Sequence, residues 1–122
     1  MMDTNGINDV LKLYFDGSFE GNADKMDKAF HDAAHVYGHA ADGSLADMPK
    51  LAFVQLVGSK KPDAPEYPRE DEILSIDFTG DNTAVVRVKI RVFDTRFTDI
   101  LSFMKIDGRW GIIAKVFSGV AV

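Results

Sequence analysis

Few residues in this 122-residue chain have the types and spacing that chemistry needs. His31, His35 and His39 recur every four residues, which on one continuous helix would align ligands for a metal. Val36-Tyr37-Gly38 between them reads as extended chain, so the alignment breaks and no metal site is expected. In a strand His35, Tyr37 and His39 share one face. An imidazole titrates near neutral pH, which makes His35 a candidate general base. Tyr14, Tyr37 and Trp110 each offer an apolar body with a polar tip, the chemistry of a small-molecule cavity. With His35 and Phe53 they are the expected ligand-binding residues, and Tyr14 is the second catalytic candidate. For each aromatic residue a core position with its polar atom satisfied is the competing reading. No Gly-rich phosphate loop, serine nucleophile elbow or paired-carboxylate motif occurs, and no cofactor is expected.

These residues must be positioned by an N-terminal helical part and a C-terminal sheet. Ile7, Val10, Leu11, Tyr14 and Ser18 form one stripe of a helix over Thr4 to Glu20, with Thr4 or Asn5 as cap and Gly21 as stop. Asn22 caps a second helix over Ala23 to His31, with Asp24 in its first turn and Met26, Ala29 and Phe30 buried. A short strand covers His35 to His39, and Ala41-Asp-Gly-Ser44 is a turn. A third helix spans Met48 to Val57, with Asp47 as cap and Pro49 in its first turn. Leu51, Val54 and either Phe53 or Val57 form its inner face. Ser59 to Glu70 is rich in breakers; its prolines permit a polyproline II ligand, but an extended connection, a lid at most, is the simpler reading.

Glu72 to Phe78, Thr83 to Phe93, Phe97 to Ile106 and Arg109 to Ser118 then read as an antiparallel meander. Thr83 to Phe93 alternates strictly, with Val86, Val88, Ile90 and Val92 on one face and Arg87, Lys89 and Arg91 on the other. Placing Phe93 opposite Phe97 across a three-residue loop sets Arg91 against Asp99 as an opposite-charge pair. In that register Ile100, Met104, Trp110, Ile112, Ala114 and Val116 join the valines under the helices. The other face then carries Arg87, Lys89, Arg91, Phe97, Asp99, Leu101, Phe103, Lys115 and Phe117. Large apolar groups mixed with both charge signs suit a subunit interface, so a homodimer through this face is expected.

The bulk properties agree with one domain over residues 1–122, of α+β class. A net charge of -5 disfavours nucleic acid as a partner. The absence of cysteine excludes disulfides and thiol catalysis. Neither a signal peptide nor a membrane-spanning run is read, and a cytoplasmic protein is expected.

The order of elements resembles the nuclear transport factor 2-like superfamily, the cone-shaped, cystatin-like α+β fold of steroid isomerases and polyketide cyclases. The resemblance rests on Tyr14 to Phe19, on Gly21-Asn-Ala-Asp24, on Ala29 to Gly38, and on the ending Asp99 to Phe117. That ending is most similar to the branch labelled putative lumazine-binding. The resemblance implies three helices packed on a curved antiparallel sheet, a concave pocket between them and a homodimer. Steroid isomerases of this fold use a helix-1 tyrosine, an aspartate base in the strand after helix 2, and a protonated sheet acid. Tyr14 stands where the tyrosine would be, Gly38 where the base would be, and Leu101 where the acid would be. One group of three makes no isomerase site. The expected function is binding of an unidentified small apolar or aromatic molecule. A lyase or isomerase using His35 or Tyr14, and a non-catalytic dimerisation module, are the alternatives.

Overall fold

The structure, a computed structural model, describes residues 3–60 and 67–122. Its elements run α1 (Thr4–Glu20), α2 (Ala23–Ala29), β1 (Phe30–His39), β2 (Leu45–Pro49), α3 (Lys50–Ser59), β3 (Asp71–Phe78), β4 (Thr83–Val92), β5 (Thr95–Ile106) and β6 (Arg109–Ala121). The strands form one sheet in the order β2-β1-β6-β5-β4-β3, antiparallel throughout except for the parallel β1–β6 pair. The three helices cover one face of this sheet, the α+β arrangement. Among the described residues no helix is long and apolar enough to cross a membrane. Pro62 and Pro65, on which the polyproline reading rests, lie outside the described residues.

Helix α1 buries the stripe its periodicity demands: Ile7, Val10, Leu11, Tyr14 and Ser18 all face the sheet. Its cap is Asp3 rather than Thr4 or Asn5. The Asp3 carboxylate accepts from the Gly6 N–H at 2.9 Å and from Trp110 Nε1 at 3.0 Å, tying the helix start to β6. Gly21 closes the helix at φ 64, a conformation that favours glycine. Asn22 caps α2 by accepting from the Lys25 N–H at 3.1 Å.

Three expectations about the middle of the chain are corrected. Helix α2 ends at Ala29, and the extended chain begins at Phe30 rather than His35. Leu45 to Pro49 is a strand, β2, which pairs with β1 and occupies a sheet edge. Helix α3 therefore starts at Lys50, with Pro49 as its cap, and buries Phe53, Val54 and Val57 while Leu51 stays exposed.

The larger correction concerns the faces of β5 and β6. Strand β4 behaves as read, burying Val86, Val88 and Ile90 and exposing Arg87 and Lys89. The β4–β5 loop, however, is two residues long: Val92 opposes Thr95 and Phe93 adopts φ 53. Val88 rather than Arg91 therefore opposes Asp99. The register differs from the expected one by an odd number of residues, and a period of two then turns every β5 side chain over. Asp99, Leu101 and Phe103 lie fully buried under the helices, while Ile100 and Met104 face outward. Arg91 instead folds onto Glu70, 3.0 Å away.

Strand β6 changes face midway. Ser102 opposes Ala114 but Phe103 opposes Ile112, so Ile113 is the extra residue of a β-bulge. Trp110 and Ile112 point inward as read before the bulge. Beyond it Lys115 and Phe117 share that inner face, while Val116 is exposed. Of the nine residues assigned to a subunit interface, Phe97, Asp99, Leu101, Phe103, Lys115 and Phe117 thus belong to the interior side.

Candidate functional site

Turning β5 and the end of β6 inward brings three polar side chains together in the core. Tyr14, held on the buried stripe of α1 and 1% exposed, donates its phenolic proton to Asp99 Oδ2 at 2.5 Å. Asp99 has no exposed surface, and its second oxygen, Oδ1, has no hydrogen-bond partner. Lys115 Nζ stands 3.9 Å from Asp99 Oδ2, its side chain 12% exposed. The same ammonium lies over the rings of Phe53 (4.7 Å), Tyr14 (5.1 Å) and Phe117 (5.8 Å). Such ring faces attract a cation at these distances.

Burial, reinforced by the charge of Asp99 and by its acceptance of the phenol proton, holds the Tyr14 pKa well above the ordinary tyrosine value. Tyr14 is thus a proton donor, not a phenolate. Burial pushes the Lys115 ammonium below the ordinary lysine value, and the charge of Asp99 pulls it part of the way back. A carboxyl and an amine are both costly to bury, and both are retained in this site.

Tyr14 and Lys115 face a cavity of about 280 Å³ between α1, α3 and the sheet. Its walls are otherwise largely apolar, from Val36, Met48, Phe53 and Phe117 among others. Asp99 stands behind these two rather than in the wall. A larger depression of about 750 Å³ lies near the β4–β5 hairpin, among Arg69, Glu70, Lys89, Arg91 and Arg96. Its charges are largely consumed by one another: Glu70 binds Arg96 at 2.8 Å and Arg91 at 3.0 Å, and Arg69 binds Asp71 at 2.7 Å. The smaller cavity, with its converging polar groups and shifted pKa values, is the candidate site.

Of the residues singled out by type and spacing, the structure brings Tyr14 and Phe53 to this cavity. His35 and Tyr37 lie on the opposite face of the sheet, where His35 Nδ1 is 2.6 Å from Asp47 Oδ1 and the two rings stack at 5.9 Å. Trp110 is buried at another end of the interior, edge-on to Phe78 and bonded to Asp3. Gly38 does face inward, but a side chain there would meet the Phe117 ring at 2.3 Å. Phe117 therefore fills the space of a base at that position. Asp99 and Lys115 are the polar groups beside the cavity that sequence reasoning misses, because it places both on the outer side of the sheet.

Comparison with known proteins bears on this geometry. The chain is 30% identical to an NTF2-like protein of unknown function from Methylobacillus flagellatus, covering 98% of this chain and 93% of that one, with a TM-score of 0.84. An NTF2-like protein of unknown function from Shewanella baltica superposes with a TM-score of 0.88 at 24% identity, over 98% of this chain and 94% of that one. A curated relative, Aldolase FrzH from Cladobotryum sp, is 26% identical over 106 residues, 85% of this chain and 81% of its own length. Residues 2–118 match the sequence family described as "Putative lumazine-binding". With that match spanning nearly the whole chain, and with the fold shared by the solved relatives, the protein belongs to this family of the NTF2-like superfamily.

Proposed function

We propose that the protein binds a small, largely apolar carbonyl compound in the cavity beside Tyr14 and promotes enolate-type chemistry on it. The observation that carries this reading is the buried Tyr14–Asp99 pair with Lys115 beside it, set in an otherwise apolar enclosure. A carbonyl oxygen seated against the Lys115 ammonium would receive a charged donor in a medium that screens charge poorly, and Tyr14 becomes a second donor by turning its single hydroxyl proton from Asp99 to the ligand. Such donors stabilise the negative charge that develops when an α-proton leaves or a carbon–carbon bond is cleaved. A cavity of about 280 Å³ is near the lower end of ligand pockets, roughly 300–1,000 Å³, so the ligand is small. The aldolase name of one relative supports a lyase reading, and a tyrosine paired with a sheet acid supports the isomerase-like alternative. His35 has no part in either, because the sheet separates it from the cavity.

The test is calorimetric titration with a small aryl ketone, acetophenone. Tyr14→Phe is expected to weaken binding by about tenfold, near 1.4 kcal/mol. Leu56→Trp, which fills the exposed end of the cavity, is expected to abolish it. Equal affinity in wild type and both variants would refute the assignment.

The outer sheet face supports a second part of the reading, association into a homodimer. Val85, Ile100, Met104 and Val116 stand exposed there beside Arg87 and Lys89, a mixture suited to contact with another copy. Ile100→Glu is expected to convert a dimer to a monomer in native mass spectrometry. A wild type that is already monomeric at micromolar concentration removes this part.

A further inference from the structure

The geometry points to Lys115 as the residue that captures the ligand covalently, its Nζ adding to the carbonyl carbon and forming an imine. The inference rests on the proposed reading that the cavity takes a carbonyl compound, and deepens it by naming the nucleophile.

The argument begins with a contrast between two lysines. Lys50 is also buried, but it sits 2.9 Å from Asp32 and 3.1 Å from Asp27, both within hydrogen-bond range, and these partners keep its pKa above the ordinary value. That is a structural ion pair. Among the described residues Lys115 has one carboxylate within 4 Å, Asp99 at 3.9 Å, beyond the reach of a direct hydrogen bond. Its remaining surroundings are the rings of Tyr14, Phe53 and Phe117, from α1, α3 and its own strand. Burial away from water favours the uncharged amine and outweighs the pull of Asp99, while the ring faces attract the ammonium form. A desolvated lysine in an apolar site is the usual form of an amine nucleophile. Its lowered pKa agrees, each unit of lowering raising the free-amine fraction about tenfold.

The neighbours supply the proton movements. The amine lone pair forms the C–N bond while the carbonyl π pair moves to oxygen. That oxygen takes the proton of Tyr14, which lies in the same wall. The proton released from nitrogen returns to the Tyr14 oxygen and restores its hydrogen bond to Asp99. The resulting hydroxyl takes the Tyr14 proton a second time and leaves as water as the nitrogen lone pair forms C=N, and the iminium N–H then returns that proton to Tyr14. Amine plus carbonyl thus gives imine plus water, with no oxidant or co-reactant.

The experiment incubates the intact protein with acetophenone or butanal, then adds cyanoborohydride and maps the adduct by mass spectrometry. One equivalent on Lys115, formed about tenfold or more faster than on the exposed Lys12, is the expected result. Lys115→Arg, which keeps the charge and cannot form an imine, is expected to lose that adduct while circular dichroism stays unchanged. Tyr14→Phe is expected to slow it. Adducts spread over surface lysines overturn the inference. Calorimetric binding of acetophenone with no adduct on Lys115 overturns it too, and leaves the binding reading intact. Absence of binding and of adduct overturns both.

Discussion

Replacing Tyr14 by Phe removes one oxygen atom from the core and tests the electrostatic logic of the site. Among the described residues Asp99 Oδ1 already lacks a hydrogen-bond partner, and Oδ2 accepts only from Tyr14. The variant would leave a fully buried carboxyl with no hydrogen bond, facing only the Lys115 charge at 3.9 Å. A hydrogen bond to a charged group contributes about 1.5–3 kcal/mol. In a domain of this size that corresponds to a fall in Tm of roughly 5–15 °C. Urea unfolding of Tyr14→Phe, Asp99→Asn and the double variant at pH 7 provides the assay, with an expected coupling of about 1–3 kcal/mol. The pH dependence carries the sign. Tyr14 has a folded pKa above its unfolded one, so its contribution is complete below about pH 10 and declines as pH rises toward the folded value. The gap between wild type and Tyr14→Phe is therefore expected to narrow in alkali. A Tyr14→Phe variant within about 0.5 kcal/mol of wild type, with a gap that does not change above pH 10, would refute the reasoning.

Three further outcomes follow from the same geometry. Gly38→Ala drives a methyl group into the Phe117 ring and is expected to cost about 1–3 kcal/mol. Thermal melts should show Phe117→Ala relieving much of that cost, and additive losses would rule the contact out. His35→Ala is expected to leave acetophenone affinity within error of wild type by calorimetry, because the ring lies across the sheet from the cavity; a several-fold loss would contradict the face assignment. The Asp16 carboxyl is held at about 2 by Lys12 and then Arg69, and that of Glu70 at about 2 by Arg96 and then Arg91. Both lie below their unfolded values, so their stabilisation is present above the ordinary carboxylate range and lost as pH falls toward 2. Carboxyl NMR titration of Lys12→Gln/Arg69→Gln should return Asp16 toward the ordinary range; a value still near 2 would disprove the assigned cause.

Local pattern made much of this molecule legible. The α1 stripe placed Tyr14 inward because only one helix face can be buried, and the alternation of β4 oriented its valines for the same reason. Strand β5 resisted because both its faces mix polar and apolar groups: Phe97, Asp99, Leu101 and Phe103 against Thr98, Ile100, Ser102 and Met104. Neither set looks more buriable when one contains an aspartate. The loop had to decide, and its decisive residue is Phe93 at φ 53, a conformation that disfavours a bulky side chain. The Arg91–Asp99 pairing was chemically plausible and lay in the wrong register. On β6 the bulge at Ile113 leaves no mark in composition, so Lys115 looked like a surface cation. Strand β2, five residues ending in proline, carried too little alternation to separate it from a turn. The missed groups share a cause. Their burial follows from long-range register, and buried ionisable side chains are the ones that hydropathy assigns to water.

The position of Lys115 has a consequence for what can enter. The chain as a whole is acidic, at -5, yet Lys115 is an ionic side chain in the wall of the apolar cavity. While Lys115 is protonated, a guest bearing its own ammonium within about 4 Å of it meets a repulsion of roughly 4 kcal/mol at an effective dielectric near 20, before the opposing pull of Asp99, 3.9 Å from the same Nζ, is counted. Neutral ketones and aldehydes escape that penalty. The enclosure thus sorts molecules by charge before shape is consulted.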